Sequence, residues 1–279
     1  MELKVTRYAV DGDGIATIWL SRPGRANSWT GRMHDEYRWI CARLDGDPAV
    51  RVIVLTGEGD IFCGGADFRA LEHHVASGHY DPALPTDAAR PGYGVRPEFD
   101  ADMAWQLGLR TPMLAAINGA CAGIAVALAA FCDLRFAVED AKITTVGARL
   151  GLPAEYGLSW VLPKLMGVTH AADLILTGRV ATAAELRHSG LFNRVLPREG
   201  FMAAVYDYAR LFAAVSPEAV TTAKRQLWGD LLVPGPAAAV EASKELIGRH
   251  MQLPDYAEGV SAMMERRAPH FGPPGDHGE

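Results

Sequence analysis

Cysteine is scarce in this chain: Cys41, Cys63, Cys121 and Cys132 are the only four in 279 residues. None stands at metal-type spacing with another cysteine or a histidine, which argues against a structural zinc site. So few thiols in so long a chain also argue against a disulfide framework and for a reduced, cytoplasmic protein. Positive charge is in short supply too, with 27 Lys and Arg against 33 Asp and Glu and a net charge of −6. A general nucleic-acid binder needs a basic surface, so that class is set aside, while a local basic pocket for a phosphorylated ligand stays open. Long apolar runs are missing as well. The longest, residues 120–132, is too short to span a bilayer, and no membrane partner is expected. The opening Met1-Glu2-Leu3-Lys4-Val5 lacks the basic-then-apolar pattern of a secretion signal.

What the chain does have is 49% hydrophobic residues, enough for one large core with or without a small appended domain. Residues 6–10 and 15–20 flank Asp11-Gly12-Asp13-Gly14, a hairpin signal. Met33, Tyr37, Ile40, Cys41 and Leu44 have helical spacing over 30–44, and 50–56 reads as a buried strand. A polar, Pro- and Gly-rich stretch from 77 to 97 breaks the pattern and is long for a connection within a domain. Strands follow at 112–118, 134–138 and 193–196, with helices at 123–132, 157–165 and 171–176. From 198 on the chain reads as helices at 201–215, 217–231, 237–251 and 255–267. The expectation is an α/β core over 1–197 and a helical C-terminal region over 198–279.

Two glycine-dense turns follow buried strands. The first is Gly57-Glu58-Gly59-Asp60-Ile61-Phe62-Cys63-Gly64-Gly65-Ala66-Asp67, with Asp67 placed to cap a helix beginning near Phe68. The second is Ala116-Ile117-Asn118-Gly119-Ala120-Cys121-Ala122-Gly123-Ile124-Ala125, leading into a helix of small and apolar residues. Glycine lets a backbone approach a ligand closely. The first amides of a helix have no partner within it and sit at the positive end of its dipole. The two turns together would supply two converging donors, an oxyanion hole. The same glycines also fit two tight strand-to-helix turns of an α/β core with no ligand at all.

These segments resemble the signatures of the crotonase (enoyl-CoA hydratase/isomerase) superfamily, a Phe-Cys-Ala-Gly-Ala-Asp-like turn and an Asn-Gly…Gly…Cys-Asp segment. The likeness runs in order through Ser21-Arg22-Pro23…Asn27, Gly151-Leu152…Leu162-Pro163 and Leu176-Thr177-Gly178-Arg179. It continues through Gly190-Leu191-Phe192-Asn193-Arg194-Val195, Ser216-Pro217…Lys224 and Glu258-Gly259…Glu265-Arg266-Arg267…Pro269, nearly the whole chain. The resemblance implies a crotonase-like ββα spiral core with a helical C-terminal extension used in trimerisation, as a homotrimer or a dimer of trimers. It implies that the amides of Ala66 and Ile124 are the oxyanion donors. The substrate implied is an acyl-CoA or enoyl-CoA thioester, with coenzyme A as part of the substrate, no separate cofactor and no metal. For coenzyme A contact it points to Arg25, to Ala66 and Asp67 in the first turn, and to Arg266 and Arg267 of the same or a neighbouring subunit. Each of these arginines also fits a solvated surface position.

Where the family's hydratases carry two glutamates, this chain has Ala127 and Gly147. Neither can move a proton, and a positioned acid or base contributes about 10²–10⁴ in rate, so hydration is disfavoured. Glu155 remains. Some members that shift the enoyl double bond carry an acid at this position, which implies one base that takes a proton from one carbon and returns it two carbons along. The apolar neighbours Leu152, Leu158 and Trp160 would raise its pKa. A carboxylate following Pro153 also suits a helix's first turn without any catalytic role. The reading is isomerisation with Glu155 as base. The alternatives are another crotonase reaction, a hydrolysis or residual hydration drawing on loop acids, or an acyl-CoA-binding protein with impaired chemistry. Glu72, Glu98, Asp100 and Asp102 are those acids, or simply charged surface. His73, His74 and His79 accompany them, and Met103 and Trp105 would line an acyl pocket or fill the core.

Overall fold

The Asp11-Gly12-Asp13-Gly14 turn closes on itself: the Asp11 carboxylate accepts from the amides of Asp13 and Ile15, both at 2.9 Å. It joins β1 (Thr6–Val10) to β2 (Ile15–Leu20) as an antiparallel pair. The computed structural model describes residues 1–67, 93–233 and 235–272. Helix α1 (Gly31–Asp45) starts where Thr30 Oγ1 accepts from the Met33 amide, and it buries Met33, Tyr37, Ile40, Cys41 and Leu44. β3 (Val52–Gly57) and β4 (Met113–Ile117) come next, buried along their whole length. That is why both read as continuous apolar runs rather than as alternation.

β5 (Cys121–Ala122) and helix α2 (Ile124–Ala130) follow β4, then β6 (Leu134–Val138) and β7 (Lys142–Thr144). Helix α3 (Leu158–Thr177) is broken at Gly167, whose φ is 71°. β8 (Ala181–Thr182) and β9 (Arg194–Leu196) complete the strands. The main sheet has the order β1-β2-β3-β4-β6-β9, parallel from β2 onward, and β5-β7-β8 form a second, smaller sheet. The parallel strands all point their C-terminal ends the same way, and both glycine turns leave from that edge. This is the edge where open α/β sheets place their ligands.

Helices α4 (Phe201–Ala209), α5 (Pro217–Asp230), α6 (Pro236–His250) and α7 (Pro254–Glu265) follow. α4 buries Phe201, Val205 and Ala209, and Tyr206 meets Thr17 of β2 at 3.2 Å. α5 is fixed by a buried ion pair, Lys224 to Asp133 at 2.8 Å, and by Trp228 donating to the same carboxylate at 2.7 Å. α6 buries no residue, and Met263 and Met264 of α7 are more than 80% exposed.

Three differences from the sequence reading have simple causes. The strand expected over 50–56 starts at Val52, because Val50 closes a turn onto Asp47. The helix expected over 201–215 tightens to a 3₁₀ turn at 210–214. The second sheet has strands of two or three residues, too short for a periodic signal. Among the described residues no helix is long and apolar enough to cross a membrane, and no group of three or more His, Cys, Asp or Glu is disposed to hold a metal. All four cysteines are free and buried.

Candidate active site

Two asparagines hold the glycine turns in place. Asn118, at the end of β4, donates to the carbonyls of Gly57 (2.9 Å) and Gly59 (2.7 Å) and accepts from the Gly57 amide. Asn27, fully buried, accepts from the Arg22 amide at 2.8 Å and donates to the carbonyls of Glu58 and Ile61. Its two contacts lock the 22–28 loop onto the first turn. Gly119 must be glycine, since a Cβ there would lie 1.9 Å from the Asp60 carbonyl oxygen.

The turns are also stitched directly to each other. The Cys63 amide donates to Ala120 at 3.0 Å and the Ala122 amide to Cys63 at 3.1 Å. Further along the first turn, Trp29 donates to Gly65 (2.8 Å) and accepts from Asp67 (3.1 Å), a parallel bridge centred on Ala66. In such a bridge the middle residue turns its own N–H to the opposite side. The Ala66 amide therefore points away from Trp29, and Ala66 is exposed. In the second turn Gly123, at φ 54°, donates to Thr144 at 2.9 Å and leaves Ile124 as the first residue of α2. Among the described residues neither the Ala66 nor the Ile124 amide donates a hydrogen bond. The two turns approach closely just before these amides: a Cβ on Gly65 would sit 3.1 Å from the Ala122 carbonyl oxygen.

Glu155 reaches the same place. A Cβ on Gly123 would lie 3.7 Å from Glu155 Oε2 and 3.4 Å from Val146 Cγ1. The carboxylate is half-buried, and desolvation raises its pKa above the ordinary range for glutamate. Among the described residues it has neither a hydrogen bond nor an ion pair. The backbone bends around it: Tyr156 has φ 46°, and burial pushes its phenol up to about 12. Val146 and Tyr156 were not singled out from the sequence. Their only signal was adjacency to Gly147 and Glu155.

Ala127 is fully buried inside α2. Gly147 is buried under its own loop: its carbonyl accepts from Leu152 at 2.9 Å, and a Cβ there would lie 2.9 Å from the Pro153 carbonyl oxygen. Position 147 lacks an acid, and it also lacks room for one.

The remaining residues are scattered. Arg25 is exposed on the 22–28 loop, next to Ala26, whose carbonyl accepts from Gly64 of the first turn at 2.8 Å. Asp67 is engaged by Arg22 at 2.9 Å and Ser28 at 3.1 Å, so its carboxylate braces the turn from behind. A helix starting at Phe68, along with Glu72, His73, His74 and His79, lies outside the described residues. Arg267 is paired bidentately with Glu258, at 2.6 and 2.8 Å, and holds that carboxyl down at about 2. Arg266 ends α7 unpaired among the described residues. The tail that follows is tied through Phe271 and Gly272 to Arg51, the residue before β3. That contact is at the end of β3 opposite the glycine turns, so within one chain Arg266 and Arg267 are not brought to Ala66 and Ile124. Glu98 pairs with Arg96 on the surface, and Asp100 and Asp102 bind Tyr93. Met103 and Trp105 are buried, the latter stacked on Tyr93 at 5.6 Å between ring centroids.

Comparison with known proteins agrees with this architecture. The model of the enoyl-CoA hydratase/isomerase family matches residues 11–274. A Mycobacterium tuberculosis protein named "probable enoyl-CoA hydratase" is 34% identical over 267 residues, covering 92% of this chain and 89% of its own length. A Mycobacterium leprae protein of the same description is 32% identical, covering 96% and 99%. Among solved structures, a "probable enoyl-CoA hydratase/isomerase" from Mycobacterium abscessus superposes with a TM-score of 0.80 at 33% identity, covering 97% of this chain and 100% of that one. The enoyl-CoA hydratase of Bacillus anthracis superposes with a TM-score of 0.83 at 26% identity, covering 96% and 99%. A match spanning both glycine turns and the sheet that carries them makes this chain a member of the enoyl-CoA hydratase/isomerase family, with the crotonase fold.

Proposed function

We propose that the protein isomerises the double bond of an enoyl-CoA thioester, with Glu155 as its single base and the amides of Ala66 and Ile124 as the oxyanion hole. Removing a proton from the carbon beside a thioester sends negative charge to the carbonyl oxygen. Two pre-oriented donors stabilise that charge more than they stabilise the neutral carbonyl. Glu155 then returns the proton two carbons along, so one carboxylate serves both steps. The observation that carries this reading is the position of Glu155 beside Gly123, desolvated and without a partner among the described residues. A raised pKa brings a carboxylate nearer to the value useful for a base that must also release its proton.

The relatives' names favour hydration, but Ala127 and Gly147 supply no second acid to position and activate water. The scheme asks for no metal and for no cofactor beyond the coenzyme A of the substrate. Arg25 at the rim of the first turn, and Arg266 from a neighbouring subunit, are the proposed phosphate contacts. A homotrimer or dimer of trimers is supported by the apolar side chains that α6 and α7 expose, Ile247, Met263 and Met264 among them. Four reduced, buried thiols fit a cytoplasmic location.

The test is solvent deuterium incorporation into enoyl-CoA substrates, followed by mass spectrometry and NMR. Wild type is expected to label the carbons on either side of the migrating bond, and Glu155→Gln to lose this by about 10²–10⁴ while still binding the thioester. Undiminished labelling in Glu155→Gln removes the assignment. A product heavier than its substrate by one molecule of solvent water, formed at a comparable rate, would mean hydration instead.

A further inference from the structure

Val146 holds a conformation that valine avoids. Its φ is 54°, in the left-handed region where a branched Cβ crowds the backbone. Glycine or asparagine would sit there at less cost, and strain of this kind persists only where the surroundings fix it. Here they fix it closely. The Val146 amide donates to Thr144 Oγ1 at 3.1 Å, and its carbonyl accepts from Arg149 at 2.9 Å. Thr144 Oγ1 in turn donates to Gly178 at 2.9 Å, Thr145 Oγ1 donates to Leu174 at 2.8 Å, and the Gly147 amide closes the turn on Thr145 at 2.7 Å. The Thr144 carbonyl accepts from Gly123 at 2.9 Å, which ties this turn to the start of α2. Glycine or asparagine at 146 would make the same backbone contacts, so none of them calls for an isopropyl group.

That group is turned toward the site. Val146 Cγ1 is 3.4 Å from the position of a Cβ on Gly123, and Glu155 Oε2 is 3.7 Å from the same position. The two side chains therefore approach one side of Gly123, the valine from the 144–147 turn and the carboxylate from the loop after Pro153. We propose that Val146 is a positioning residue for Glu155, an apolar wedge beside Gly123 that holds water off the carboxylate. A shielded carboxylate binds its proton more tightly and is the stronger base for taking one from carbon. For this catalytic consequence the role rests on Glu155 being the base. Charged neighbours do not supply the effect among the described residues. α2 carries no titratable side chain, and Lys142 of β7, Arg149 of the intervening loop and Lys164 of α3 are exposed. Asp67, in the first glycine turn, is paired with Arg22, and Tyr156 beside Glu155 keeps its proton up to about 12. Desolvation is what raises the Glu155 pKa, so the groups that exclude water from it set its value. The strain at Val146 then has a reason: the backbone favours glycine or asparagine, and only the shielding favours a branched apolar side chain.

The test compares wild type with Val146→Thr, Val146→Asn and Val146→Ile in the full-length protein. Threonine keeps the volume and the branching, and asparagine accepts the left-handed backbone; both bring a polar group to the wedge, while isoleucine keeps it apolar. The Glu155 carboxyl is titrated by infrared difference spectroscopy with Glu155→Gln as the blank. The pH profile of kcat/KM for an enoyl-CoA is measured beside it, and melting temperatures check that each variant is folded. A polar neighbour favours the charged form, so the carboxyl should titrate about one pH unit lower in the threonine and asparagine variants and within about 0.3 unit of wild type in the isoleucine variant. The limb of the pH profile should move with it. A carboxyl that titrates in Val146→Thr and Val146→Asn where it does in wild type overturns the proposal. So does loss of folding in both, which would make the side chain structural. A carboxyl that shifts while the limb stays in place sustains the wedge and removes Glu155 as the base.

Discussion

A backbone donor can be deleted without touching a side chain that does chemistry, and Ile124 offers an unusually clean place to do it. Ile124 is the first residue of α2, the position where proline is best tolerated, because its N–H has no intrahelical partner to lose. Gly123 before it has φ 54° and ψ −122°, outside the α region that proline forbids to its predecessor. Ile124→Pro therefore removes one hydrogen-bond donor and part of one buried side chain, and little else. Losing an oxyanion donor costs about 10²–10³ in rate, equivalent to roughly 3–4 kcal/mol of transition-state stabilisation. Ile124→Val keeps the N–H while removing one methyl group, at a cost of about 0.5–1.5 kcal/mol in stability and little in rate. The assay is the rate of solvent deuterium exchange beside the thioester carbonyl, with thermal melting of each variant alongside. The expected pattern is an exchange rate down at least a hundredfold in Ile124→Pro and within about threefold of wild type in Ile124→Val. If the proline variant folds and exchanges as fast as the valine variant, the Ile124 amide is not a donor and the oxyanion reading fails.

Three more outcomes follow from the same geometry. Burial raises the folded-state pKa of Glu155 above its unfolded value, so the stability it permits is complete at low pH and declines as pH rises through the folded pKa. Glu155→Gln should abolish that decline, its melting advantage over wild type growing as pH rises above the ordinary glutamate range, while the rise of wild-type kcat/KM with pH reports the same group as base. Gly147→Glu restores an acid in name only: its Cβ meets the Pro153 carbonyl at 2.9 Å, so a loss of about 1–3 kcal/mol in stability and no gain in hydration are expected, measured by melting and by a hydration assay. Lys224→Met leaves Asp133 buried without its cation and should cost about 3–5 kcal/mol, read from the urea midpoint; a loss below about 1 kcal/mol would mean that the pair is solvated.

The parts of this fold that were legible in the sequence are those whose signal is local. β3 and β4 are buried on both faces and so read as unbroken apolar runs; the Asp11–Gly14 hairpin is closed by its own side chain; α3 reads as two helices because Gly167 interrupts it. The strands β5, β7 and β8 were illegible because two or three residues carry no period. The two glycine turns were visible as patterns, but the way they are held together depends on Asn27 and Asn118, which act on residues 31 to 61 positions away. No spacing rule reports a hydrogen bond of that range. The direction of the Glu155 side chain was equally hidden, since it is set by left-handed backbone at Gly151, Tyr156 and Gly157, only two of which are glycine.

One loop accounts for both departures from a two-acid site. The chain from Gly147 to Glu155 curls so that Leu152 bonds back to Gly147 and the Pro153 carbonyl covers the space a side chain at 147 would need. The same curl carries Glu155 to the start of α2, where a Cβ on Gly123 would lie 3.7 Å from its carboxylate. A conformation that left room for an acid at 147 would move Pro153, and Glu155 two residues on would move with it. Blocking one position and filling the other are thus a single structural choice, and the proposed scheme built on it uses one proton carrier rather than two. Water addition across a double bond needs a group to activate water and a group to deliver a proton to carbon, whereas moving the bond needs one group that does each job in turn. On the isomerase proposal, a gain of hydration is expected only from replacing the whole loop together with Ala127, and not from point substitutions at 127 and 147 alone.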